Sequence, residues 1–143
     1  MMQSKRLGIV AVLAGLVLGL SACSGGDEIA ALNRGSAAGN QLPDYVYTED
    51  IDVDSIREAV ESEGFTYFLA RGKEQGFCVI RTSDQGESAY MGGCGTKPGL
   101  VIITSSGTTA AGPTNVALVT DGYATDDLED EGWAKIQENI LVR

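Results

Sequence analysis

The distribution of hydrophobic and polar positions divides the chain into three stretches. Residues 7–20 form one uninterrupted apolar run, residues 24–42 are rich in Gly, Ala, Ser and Asn without a sustained apolar period, and from Pro43 onward apolar residues recur in short blocks. In this last stretch Ser55 and Glu58 make a Ser-x-x-Glu capping box, and Ile56, Ala59 and Val60 share one helical face until Gly64. That pattern predicts one short helix. Beyond Gly64 the blocks are rich in β-branched and aromatic residues and are separated by glycine-bearing turns, which predicts strands over 65–71, 77–82, 87–91, 100–104 and 116–120. Residues 73–76 and 84–86 have hairpin-turn composition, and 105–114 read as a polar loop. Trp133 and Ile136 suit a terminal helical turn, with a last strand over 140–142. Connections this short exclude parallel crossovers and favour an antiparallel meander. The expected fold class is α+β or mainly β: a small antiparallel sheet of about five to six strands with one short helix and one disulfide.

The first apolar run changes the picture most. Lys5 and Arg6 precede it, and its fourteen residues suit the core of a signal peptide. A transmembrane helix needs about 20 apolar residues, and here polar Ser24-Gly25-Gly26-Asp27-Glu28 follows closely. The run ends in Leu20-Ser21-Ala22-Cys23, which resembles the lipobox of bacterial lipoproteins at all four positions. The resemblance, confined to residues 1–23, implies diacylglyceryl transfer to the Cys23 sulfur, cleavage after Ala22, and exposure of the mature chain on the extracytoplasmic face of the cell membrane. Two acyl chains give durable anchoring where one binds reversibly. The expected organisation is a cleaved signal peptide over 1–22, a lipidated N-terminus and flexible tether over 23–42, and a single small globular domain over 43–143.

Charge then narrows the partners. Cleavage would remove two of ten basic residues and none of the twenty acidic ones, leaving eight against twenty, a formal net charge of −12. Such a balance argues against nucleic acid, whose binders present basic patches to phosphate, and against a grip on anionic headgroups. The expected partners are the membrane itself, through Cys23, and an envelope protein. With Cys23 acylated, Cys78 and Cys94 are the only intramolecular disulfide pair left, in a compartment that permits one.

An aromatic-rich strand ending in Ala70-Arg71-Gly72, a cysteine strand, a Gly-Cys loop, a strand running into Asp121-Gly122-Tyr123, and a late Trp133 with Asn139 make residues 65–143 similar to small exported actinobacterial lipoprotein domains that carry no assigned activity. The similarity implies the exported context and the bridge, and no reaction.

Candidate chemistry is sparse. The chain has no histidine, which removes Ser-His-Asp and Cys-His catalysis, and it has no nucleotide-binding glycine loop and no hydrolase elbow. Asp50, Asp52, Asp54 and Glu61 mimic the spacing of a calcium loop, but the sixth position, where glycine makes the turn, is Ser55. Asp126, Asp127, Glu129, Asp130 and Glu131, followed by Trp133, form the candidate interaction surface, read as a solvated connection with a negative potential. The tyrosines and Trp133 could line a groove, though aromatics more often fill cores. No enzyme activity, cofactor or metal is expected. The reading is a non-enzymatic interaction or structural module of the cell envelope, with a small-ligand or cation-binding lipoprotein as the alternative.

Overall fold

The computed structural model describes residues 28–74, 76–95, 99–104 and 112–143. They form two antiparallel sheets of four strands each. The first is a meander of β1 (Ile51–Ser62), β2 (Phe65–Gly72), β3 (Phe77–Ser83) and β4 (Met91–Gly95). In the second, β5 (Leu100–Thr104), β6 (Asn115–Val119), β7 (Ala134–Gln137) and β8 (Ile140–Val142) stand in the order β5-β6-β8-β7. A single α-helical turn, α1 (Asp126–Asp130), precedes β7.

The sheets pack face to face through alternate residues of their central strands. Phe65, Tyr67 and Leu69 of β2 and Phe77 and Val79 of β3 meet Val116 and Leu118 of β6 and Ile140 and Val142 of β8 in one cluster, as the period-2 geometry of strands requires. The intervening residues are also buried. Phe68, Ala70, Cys78 and Ile80 lie under Ala38, Leu42, Tyr45 and Val46, while Ala117, Val119 and Leu141 lie under Leu128 and Trp133. Burial on both faces explains why β2 and β3 read as continuous apolar runs rather than as alternating ones.

The helix expected from Ser55 is not formed: that segment is the long strand β1. β1 contains two register irregularities, between Asp52 and Arg57 and between Glu58 and Val60, and such bulges break strict alternation into a helix-like spacing. The Ser55 hydroxyl serves the strand instead. It donates to the Asp52 carbonyl at 2.6 Å and accepts from the Arg71 amide at 2.7 Å. Glu63 and Gly64 close the β1–β2 hairpin with φ of 53° and 81°, the double positive φ of a type I′ turn.

Three other expectations are corrected. Residues 87–91 are a 3-10 turn (Glu87–Ala89) leading into β4 rather than a strand. The helical turn falls on the acidic run 126–130, not on Trp133 and Ile136, which flank and enter β7. The expected tether is packed from residue 28 onward: Ile29, Leu32 and Ala38 are buried, and the Ala38 amide donates to the Ile56 carbonyl at 2.7 Å. A few apolar residues in a Gly- and Ala-rich stretch suffice to seat it on the sheets.

Candidate functional site

Cys23 lies outside the described residues. Cys78 and Cys94 form a disulfide. They are direct register partners on β3 and β4, so the Gly-Cys segment expected as a loop is a strand. Cys78 is fully buried and Cys94 is exposed.

The acidic segment separates into exposed charge and buried anchor. Asp126, Asp127, Glu129, Asp130 and Glu131 are exposed on α1 and its C-terminal end, and Glu129 accepts the Thr125 hydroxyl at 2.6 Å. The turn ends in paired backbone bonds, Gly132 to the Glu129 carbonyl and Trp133 to the Leu128 carbonyl, with Gly132 at φ 92°. This is a Schellman closure, and its accompanying apolar contact is Trp133 on Leu128. Trp133 is therefore a core residue, capped by the Arg143 guanidinium 4.9 Å from its ring centre. Only the carboxylates of the expected interaction surface face solvent.

The calcium-like spacing is drawn out along β1. Asp52 pairs with Arg71 and Glu61 with Thr66, five β2 steps or about 17 Å apart, too far to share an ion. Among the described residues no three His, Cys, Asp or Glu side chains come together as a metal-binding group. Nor is any described helix long and apolar enough to cross a membrane.

Two polar centres in the core have structural partners. Asn139 donates to the Val119 carbonyl at 3.0 Å and to the Asp121 carboxylate at 2.8 Å, and the other Asp121 oxygen accepts the Ala30 amide at 2.8 Å. The Asp-Gly pair at 121–122 thereby pins the N-terminal segment. Arg81 is buried between the sheets. Its guanidinium donates to the carbonyls of Ala89 and Pro113 and lies 4.4 Å from the Phe65 ring centre. Burial pushes its pKa down, while neighbouring Tyr67 opposes that shift. Tyr67 is itself pushed up by burial, against the pull of Arg81.

One concavity was not foreseen from the sequence. It is a groove of about 680 Å³ lined by Gln41, Pro43, Glu58, Glu61, Glu63, Thr66, Phe68, Thr82 and Asp84, among others. Register explains its floor. Glu61, Thr66 and Thr82 form one cross-strand row and Glu58, Phe68 and Ile80 the next, both on the outer face of the first sheet. The segment carrying Leu42, Tyr45 and Val46 covers that face over Phe68 and Ile80 and leaves the end beside the β1–β2 turn open. Glu58, Glu61, Glu63 and Asp84 at its rim are exposed. Only register could reveal the site, because its carboxylates come from separate strands and turns. No family model, curated protein or solved structure matches the chain.

Proposed function

We propose that this protein is a membrane-anchored extracytoplasmic lipoprotein, a non-enzymatic interaction or structural module of the cell envelope held by acyl chains on Cys23. The observation that carries the reading is the Leu20-Ser21-Ala22-Cys23 step behind a basic and then apolar leader. The Cys78–Cys94 disulfide is the chemistry of an oxidising compartment and supports export. The acidic surface leaves the lipid as the grip on the bilayer. Because the chain is packed from residue 28, only five residue steps separate the anchor from the folded unit. That caps the leash at about 18 Å of extended chain, so the domain works close to the membrane.

Cross-linking in intact cells, followed by solubilisation, capture and mass spectrometry, tests the reading. One reproducible envelope protein that is lost with Cys23→Ala supports it. The small-ligand alternative draws on the groove beside the β1–β2 turn, and a ligand-dependent rise in melting temperature without any protein partner would favour it.

A further inference from the structure

Glu28 and the groove stand at opposite ends of the first sheet. Glu28, the first described residue, lies 3.6 Å from the Arg71 guanidinium at the end of β2 where Gly72 pairs with Ile51. The groove opens at the other end, where Ser62 pairs with Phe65. The seven steps from Phe65 to Gly72 separate the two by about 23 Å. A leash entering at Glu28 therefore turns the groove away from the bilayer.

The groove's charge is of one sign. Glu58 and Glu61 project from β1, Glu63 from its turn and Asp84 from the turn after β3, and no Lys or Arg is among its described lining residues. These carboxylates do not gather at one point, since no three of them form a metal-binding group. They are spread along a channel about 680 Å³ in volume, with the Thr66, Phe68 and Thr82 side of the sheet as its floor. Charge distributed in this way complements a ligand whose positive charges are also distributed, and electrostatic complementarity sets register and partner choice more than bulk affinity.

We propose that the membrane-distal groove docks an extended basic segment, bearing several Lys or Arg residues, of an envelope protein. The proposal rests on the lipoprotein reading for its orientation and for the class of partner, but the groove can be tested alone. The full chain in detergent micelles is titrated with a fluorescent hexa-arginine peptide at low salt. The triple variant Glu58→Gln, Glu61→Gln, Glu63→Gln should weaken binding by about tenfold or more, and Asp84→Asn, on a separate turn, by about threefold. A control with the same charge loss at exposed carboxylates outside the groove, Asp50→Asn, Glu74→Gln, Glu138→Gln, should change it by less than about twofold.

Equal weakening by the groove and control triples, or no saturable binding to the wild type, would overturn the proposal. Melting curves establish that every variant is folded, and the single Asp84→Asn change gives an independent measure if the triple is not. In cells, a partner that depends on Cys23 but is retained by the groove triple would leave the lipoprotein reading standing and remove the groove from it.

Discussion

Cys78 and Cys94 face one another across β3 and β4, with Cα atoms 4.0 Å apart, and their bond ties a buried residue to an exposed one. Strand pairing already aligns the two positions, so the bond acts chiefly on the unfolded chain, closing a loop with a sequence separation of 16. In the chain-entropy model such a loop stabilises by about 3 kcal/mol. The double variant Cys78→Ser, Cys94→Ser should lose stability of that order in urea unfolding while keeping a β-sheet circular dichroism spectrum. Reductant should lower the wild-type midpoint toward that of the variant and leave the variant unchanged.

Asp121 holds the N-terminal segment through the Ala30 amide and is itself held by Asn139. Asp121→Ala should therefore free residues 28–32 before it affects the sheets. The expected signature is accelerated hydrogen exchange at Ala30 with little change at Leu118 or Ile140, and a global cost of about 1–3 kcal/mol for the unsatisfied Asn139 amide and lost bonds. Uniform acceleration across the chain would show that the segment is not a separable unit.

Gly132 takes φ 92° with no atom within 4 Å of where a Cβ would sit. The conformation, not space, demands glycine. Gly132→Ala should cost about 1 kcal/mol, and Gly132→Asn, which tolerates the left-handed region better, should cost less. Urea midpoints of the two variants check the order.

The tyrosines set the alkaline limit. Tyr67 and Tyr90 have pKa values raised above 10.0, chiefly by burial. The unfolded chain therefore releases these protons at lower pH than the native one. Their contribution to stability is fully present below pH 10.0, and it is lost as pH rises from there through the folded-state values. Urea midpoints should be level with respect to these groups below that pH and fall above it, and phenolate absorbance should rise in step with unfolding. Tyr67→Phe should blunt the fall.

Strands buried on both faces were the most legible part of the chain, because a continuous run such as Phe65–Gly72 or Phe77–Ser83 needs no register to be recognised. β1 was misread because its bulges move Ile56, Ala59 and Val60 onto a spacing shared with helices, and Ser55 and Glu58 happen to match a cap. β4 was displaced because Met91-Gly92-Gly93-Cys94-Gly95 lacks β-propensity. Its glycines are there for close approach, since a Cβ at Gly93 or Gly95 would collide with Ile103 or Val101 of β5. The division into two sheets could not be read locally, as the β5-β6-β8-β7 order is a property of long-range pairing. Of the candidate site, the acidic run on α1 was visible as contiguous charge, while the groove joins residues from Gln41 to Asp84 and exists only once the strands are aligned.

The lipid anchor is the claim on which the proposed function depends, and the intact mass of protein extracted from membranes tests it most directly. The expected species begins at Cys23, carries a diacylglyceryl modification, and is two hydrogens lighter than its reduced form because of the Cys78–Cys94 bond. An unmodified Cys23, or a mature chain beginning elsewhere, would contradict the anchor and with it the membrane-distal placement of the groove.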